Sequence, residues 1–405
     1  MLGLLLALQV AAPHDALRYD VTLVPSDTGT HLLGEVETTW RLASSEPVIV
    51  RLDSSMRVVR VLIDGRPNTR ISRTMYARSS EDVLVPHQKP AGDSITTRIR
   101  YHGLARGLTG VGGALVGSRG GRPIFFASAG GEGAPRWLPV AEGAELDRVV
   151  STFRIQLPAG HRAIAPGELV GVDTLPYGHV IRRYQLDVPV PVTALAVASG
   201  PYQVTEFTDG CGPGCLEGTQ VWRYPGARSP DPGIGGVRRI AGTLAALAGP
   251  YPFEGMVVHV EAPVAELFAA PGVVFHPEGS LDPGRETPAA EAVVLGTAKQ
   301  WFGVAVAARQ EDRWITDGLA RYLERLWPDR AGRLLEGAPS AAESRELRDA
   351  RTFHRLRKAV GDSAFFRGLA RVVDTHRARP LTPESFLETM SEAAGRKLEL
   401  SPAGR

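Results

Sequence analysis

The chain of 405 residues is predicted to be an α+β protein, with a β-rich first half and a second half that is largely helical towards its end. Short segments that alternate apolar and polar residues run from residue 17 to about residue 200, as expected of half-buried strands. After about residue 203 the apolar residues recur at helical spacing. We therefore predict two domains, residues 14–203 and residues 204–405.

Turn-forming pairs such as Asp64-Gly65 separate the predicted strands, and Thr382 before Pro383 is a typical helix start. The predicted strands are residues 18–23, 34–42, 48–52, 58–63, 82–85, 94–101, 149–157, 180–186, 192–197, 219–224 and 256–260. The predicted helices are residues 237–247, 289–302, 314–326, 345–360, 363–376 and 383–393.

A glycine-rich segment, residues 103–135, contains the sequence Gly-Val-Gly-Gly at residues 110–113. A phosphate-binding loop needs a strand before it, a helix after it and usually a Gly-Lys-Ser/Thr end, and this segment shows none of these. We therefore predict a flexible surface loop here.

The composition is that of a globular protein, with 43% hydrophobic and 22% charged residues and a formal net charge of +2. Such a balanced charge gives no reason to expect a nucleic-acid partner. Residues 1–12 are apolar or small except for Gln9 and resemble the core of a secretory signal, although a buried first strand is the alternative. The segment is too short to span a bilayer, so we predict an exported protein, periplasmic or secreted, without an integral membrane span.

Cys211 and Cys215 are the chain's two cysteines and occur as Cys-Gly-Pro-Gly-Cys. The spacing is not that of a redox motif, and no second cysteine or histidine pair completes a zinc site. We predict a structural disulfide between them, which agrees with export.

The strongest motifs lie in the second half. Residues 295–303 read Leu-Gly-Thr-Ala-Lys-Gln-Trp-Phe-Gly, and residues 317–324 read Asp-Gly-Leu-Ala-Arg-Tyr-Leu-Glu. With Gly-Pro-Tyr-Pro at residues 249–252 and Tyr-Asp-Val-Thr-Leu at residues 19–23, they resemble the M1 family of gluzincin aminopeptidases, in a short bacterial form, over nearly the whole chain. The resemblance implies an N-terminal antiparallel β saddle domain followed by a thermolysin-like α+β domain.

The same resemblance implies that the zinc-binding motif is degenerate. In the family, His-Glu-x-x-His supplies two zinc ligands and a general base, and the next helix supplies a third ligand. Here Leu295 and Lys299 stand at the histidine positions, Gly296 at the base position and Asp317 at the third ligand position. Leu295 cannot bind a metal, Gly296 cannot act as a base and a charged Lys299 repels a cation.

Two further positions of the family's site differ as well. Ala269 stands where the family has the glutamate that binds the substrate amine, and Glu346 falls near the position of the oxyanion-stabilising tyrosine. With so many reactive positions changed, we expect no zinc cofactor and no intact catalytic residue.

Lys299 and Asp317 are predicted either to form an ion pair in place of the metal or to be separate, with Lys299 reaching solvent. If the pair forms, replacing Lys299 by alanine should cost roughly 3 kcal/mol of stability. His276 either lines the old cleft or is a structural histidine.

The leading functional hypothesis is a catalytically inactive pseudoenzyme that binds an unknown peptide or protein in the cleft between its domains. The alternative is an active metallo-aminopeptidase with a non-standard metal site assembled from distant ligands. A third reading is a structural subunit that uses its surface. The oligomeric state is not predicted.

Overall fold

The computed structural model describes residues 14–67, 82–141, 143–207, 218–230, 234, 236–284, 289–327, 335 and 344–399. The predicted signal segment, residues 1–12, and the predicted disulfide between Cys211 and Cys215 lie outside these residues. Export and the disulfide therefore stay predictions, and the domain boundary at residue 203 also stays a prediction.

Strands dominate the first half of the described chain. They are β1 (Asp15–Pro25), β2 (His31–Arg41), β3 (Val48–Arg51), β4 (Met56–Ile63), β5 (Arg66–Pro67), β6 (Asp82–Val85), β7 (Ser94–Leu104), β8 (Arg106–Thr109), β9 (Gly112–Arg119), β10 (Arg122–Ser128), β11 (Val140–Ala141), β12 (Arg148–Pro158), β13 (Arg162–Ile164), β14 (Glu168–Thr174), β15 (His179–Pro191) and β16 (Ala196–Gly200).

These strands form three sheets. The largest has the order β14-β15-β12-β1-β2-β7-β4-β5, and the others have the orders β13-β16-β10-β9-β8 and β11-β3-β6. The predicted β domain is confirmed, and its pairings are antiparallel except that β1 and β12 run parallel. Alternation along β2 explains the burial, because Leu32, Val36 and Trp40 point into the core while their neighbours are more exposed.

The prediction of a flexible loop at residues 103–135 is wrong. The segment forms β8, β9 and β10, and the side chains of Phe125 and Phe126 are fully buried. Its glycines allow close backbone approach: a Cβ atom on Gly112 would lie 2.0 Å from the carbonyl oxygen of Gly130. The glycine content therefore reflects tight packing between strands and turns rather than a lack of structure.

The second half contains one sheet covered by helices. Its strands are β17 (Gln203–Phe207), β18 (Thr219–Arg223), β19 (Val257–Ala262), β20 (Phe268–Ala270) and β21 (Val273–Pro277), in the order β17-β18-β19-β21-β20. Its helices are α1 (Val237–Ala248), α2 (Ala289–Lys299), α3 (Arg313–Leu326), α4 (Arg345–Val360), α5 (Asp362–His376) and α6 (Pro383–Ala394). The predicted α+β class, helical towards the C-terminus, is confirmed.

Helix α2 lies at the centre of this half. It packs against α1, α3 and the β20–β21 hairpin, while α3 packs against α4 and α5 packs against α6. Thr382 caps α6, since its hydroxyl accepts a hydrogen bond from the amide of Ser385. Among the described residues, no helix combines the length and the apolar character that a membrane span requires.

One arginine ties the two halves together. Arg148 of β12 donates to the carbonyl oxygen of Ala305 at 2.9 Å and to that of His376 at 3.2 Å. Burial lowers the pKa of the Arg148 guanidinium to about 10. The first half is therefore fixed both to the segment after α2 and to the end of α5.

Candidate functional site

Helix α2 carries three of the residues in question. Its residues 293–298 are all buried, because the helix is enclosed by the β20–β21 hairpin and by α1 and α3. Leu295 is 8% exposed and packs in the helical core, whereas Lys299 ends the helix, where a cation suits the helix dipole.

Gln300 fastens the end of α2 to the neighbouring hairpin. Its fully buried side chain accepts a hydrogen bond from the amide of Gly272 at 2.9 Å and donates to the carbonyl of Ala270 at 3.1 Å. The next residue, Trp301, donates from its indole to the carbonyl of Gly249 at 2.9 Å. The Gln300 bonds hold the end of α2 on the β20–β21 hairpin, and the Trp301 bond holds it against the end of α1.

Gly296 has no room for a side chain. A Cβ atom placed on Gly296 would lie 2.4 Å from Cγ1 of Val274, a residue of β21. Contacts this short do not occur between real side chains, so any larger residue here requires the Val274 side chain, the helix or the strand to shift. Packing therefore leaves no free space for a larger side chain at Gly296, the position that the sequence resemblance aligns with the family's general base.

Lys299 and Asp317 are brought together by the packing of α2 on α3. The ammonium Nζ of Lys299 donates to Oδ1 of Asp317 at 2.7 Å, and the two side chains are 16% and 23% exposed. Arg313, one turn before Asp317, approaches its other oxygen at 3.8 Å. The carboxylate is therefore occupied by two cations.

Ala269 lies in β20, directly opposite Val274 of β21. It is 9% exposed and belongs to the large hydrophobic core that the two halves share. A methyl group offers no charge to a substrate ammonium, so this part of the site cannot recognise an amine by ion pairing.

Glu346 lies in the first turn of α4 and forms an ion pair with Arg321 of α3. Its carboxylate accepts a hydrogen bond from the guanidinium of Arg321 at 2.9 Å. Asp349 lies one turn after Glu346. Burial raises the pKa of the Asp349 carboxyl, the positive charge of Arg345 lowers that pKa, and the negative charges of Asp317 and Glu346 raise it further. The structure thus joins Glu346 to Arg321 of α3.

His276 does not line a cleft. It is fully buried in β21, and its Nε2 lies 2.9 Å from Nδ1 of His259 in β19. Burial lowers the pKa of His259 to about 3, so the pair is neutral near neutral pH. The prediction that His276 is a structural histidine agrees with this position.

These residues do not fit a catalytic zinc ion. Of the positions at issue, Leu295 has no donor atom, Lys299 is a cation and Asp317 is already paired. Throughout the part of the chain that the structure describes, no group of three or more His, Cys, Asp or Glu side chains is arranged to hold a metal ion.

Sequence reasoning did not find three residues that define this site. Val274 closes the space at Gly296, Arg313 supplies the second cation on Asp317, and Asp349 lies beside Asp317. Only the spacing of Arg313, four residues before Asp317, carried a signal, since such pairs meet on one face of a helix.

No protein-family model matches this sequence, and no curated protein matches it. Solved structures do match. The M1 zinc metallopeptidase of Deinococcus radiodurans, as a glutamate-to-alanine mutant bound to a Tyr-Ser-Ala substrate, is 24% identical with a TM-score of 0.75, and the match covers 96% of both chains. The two-domain M1 zinc metallopeptidase mutant bound to L-tryptophan is 24% identical in sequence with a TM-score of 0.75, and the match covers 97% of both chains. A further structure of the M1 zinc metallopeptidase from Deinococcus radiodurans is 24% identical with a TM-score of 0.74, and the match covers 97% of both chains.

Proposed function

We propose that this chain, which has the M1 aminopeptidase-like fold, is a catalytically inactive pseudoenzyme that acts as a peptide- or protein-binding or structural component. The observation that carries the proposal is the ion pair between Lys299 and Asp317, with 2.7 Å between Nζ and Oδ1. The sequence resemblance assigns both residues to zinc-ligand positions of the family, and each satisfies the other's charge. A bound Zn²⁺ would have to displace this ammonium and would then repel it.

Two other observations support the loss of hydrolysis. The contact of Gly296 with Val274 leaves no space for a base that would activate water. The methyl group of Ala269 cannot pair with a substrate ammonium. We therefore do not expect the site to select peptides by a free amino terminus, and we propose a peptide segment or a protein surface as the partner.

The proposal is tested by elemental analysis for zinc on protein purified without chelators, with a panel of aminoacyl-coumarin substrates run on the same sample. Protein incubated with excess Zn²⁺ and then desalted is the matched sample, since it separates loss of metal during purification from an inability to bind it. We expect neither bound zinc nor turnover in either sample.

Near-stoichiometric zinc together with chelator-sensitive hydrolysis would overturn the proposal. It would establish the alternative, a metallo-aminopeptidase whose metal is held by ligands outside the motif.

A further inference from the structure

The exposed apolar side chains of this protein are concentrated on one hairpin. Four of the six large hydrophobic side chains that are exposed in the described residues belong to β14 and the turn after it: Leu169, Val170, Val172 and Tyr177. Single exposed hydrophobic residues are normal, but a contiguous group of them marks an interaction surface.

Strand β14 is also an edge strand. It ends the eight-stranded sheet, and its residues 168–174 contain neither proline nor lysine, while a β-bulge between Leu169 and Gly171 interrupts its pairing with β15. The opposite edge of the same sheet is the two-residue strand β5, which includes Pro67. Residues 171–174, beyond the bulge, therefore form a regular outer edge that includes the exposed Val172.

A charged pair lies at the same edge. The guanidinium of Arg183 lies over Gly171, so closely that a Cβ atom on Gly171 would be 2.5 Å from Nη2 of Arg183. The same nitrogen lies 3.3 Å from Oδ1 of Asp173, and the two side chains are 44% and 47% exposed. An opposing strand would meet a cation at Gly171 and an anion two residues later.

We propose that β14 pairs with β14 of a second copy of this chain, antiparallel about a two-fold axis at Val172. In this register Val172 faces Val172 of the second copy, and Asp173 of each copy lies opposite Gly171 of the other. Each Asp173 then lies beside the Arg183 guanidinium of the other copy. The strand is self-complementary in both charge and apolar contact, as a two-fold interface requires.

The dimer is expected to dissociate on dilution, because one strand pairing buries less surface than a standard protein interface. Sedimentation velocity of the whole chain over a micromolar concentration series should show a species of twice the 43.4 kDa chain mass. Val172→Lys should leave only the monomer, since it places two ammonium groups face to face.

Val59→Lys is the matched control, because Val59 is a 60% exposed valine of the same sheet, far from this edge. It should dimerise like the wild type. A wild type that stays monomeric over the whole series overturns the proposal, and so does a Val172→Lys variant that dimerises as the wild type does.

The charges test the register separately. Asp173→Arg and Arg183→Asp should each weaken the dimer several-fold, and the double variant should recover it, because the swap restores both reciprocal pairs. A double variant as weak as the single variants would overturn the proposed register.

Discussion

Lys299 and Asp317 form an ion pair that joins the end of α2 to α3, with 2.7 Å between Nζ and Oδ1. Both side chains are largely withdrawn from water, so the attraction is screened less than between surface charges. Removing one partner leaves the other charge with poor solvation. The pair is therefore expected to contribute to the stability of the helix packing.

Replacement of Lys299 by alanine should lower the free energy of unfolding by about 2–3 kcal/mol, measured by urea denaturation. This loss of stability is at the low end of the range for buried ion pairs, because Arg313 remains 3.8 Å from Asp317 and still partly balances its charge. Lys397→Ala, at an exposed position, is the control and should change stability by less than about 0.5 kcal/mol. The double variant Lys299→Ala/Asp317→Ala should be more stable than the sum of the single effects predicts. Strict additivity would refute a structural role for the pair.

Gly296→Ala should destabilise the protein, although the same change in most helix interiors stabilises by about 1 kcal/mol. The reversal is expected because the new methyl group would lie 2.4 Å from Cγ1 of Val274. In a Val274→Ala background, Gly296→Ala should become neutral or stabilising, since the obstructing methyl groups are gone. Thermal melting of the three variants tests this coupling. A Gly296→Ala protein more stable than the wild type would contradict the close contact.

Gln300→Leu should cost about 3 kcal/mol, because it leaves the amide of Gly272 and the carbonyl of Ala270 unpaired in the interior. Hydrogen exchange at the Gly272 amide should accelerate in the same variant. Gln310→Leu, at an exposed glutamine, is the control and should leave both measurements nearly unchanged. Unaltered exchange at Gly272 would show that the β20–β21 hairpin does not depend on this side chain.

Stability should depend on pH through Asp147. Burial raises its pKa to about 7 from the ordinary value of 3.8, although the amide of Ala16 donates to its carboxyl at 2.6 Å. The folded state thus keeps a proton that the unfolded state releases between these values. The stabilising contribution is complete below the lower pKa and is lost as the pH rises through the higher one.

Asp147→Asn should therefore stabilise the protein by about 1–2 kcal/mol near pH 8 and make little difference near pH 4. The energy is set below the full value of the pKa shift because the carboxyl is partly exposed to solvent. Urea denaturation at the two pH values gives the comparison, with Asp374→Asn as an exposed control. An effect of equal size at both pH values would show that the ionisation of Asp147 is not responsible.

The sequence predicted those features that depend on local periodicity. Alternation identified strands such as β2, and helical spacing with the Thr382 cap identified α6. The prediction from sequence was wrong at residues 103–135, because it interpreted the glycines as a sign of a loop. In the structure these glycines permit close backbone contacts. The prediction did not find Val274, because the contact with Gly296 joins a strand to a helix about 20 positions away and leaves no local pattern. The parallel pairing of β1 with β12 was out of reach for the same reason.

The contact between Gly296 and Val274 limits which residues position 296 can acquire one substitution at a time. A glutamate introduced first would enter an occupied space, while a smaller residue at Val274 introduced first would open a cavity. Each single change is therefore expected to carry a cost in stability. On the proposed function, the valine packed against this helix separates the chain from one with a general base at position 296 by more than one neutral substitution.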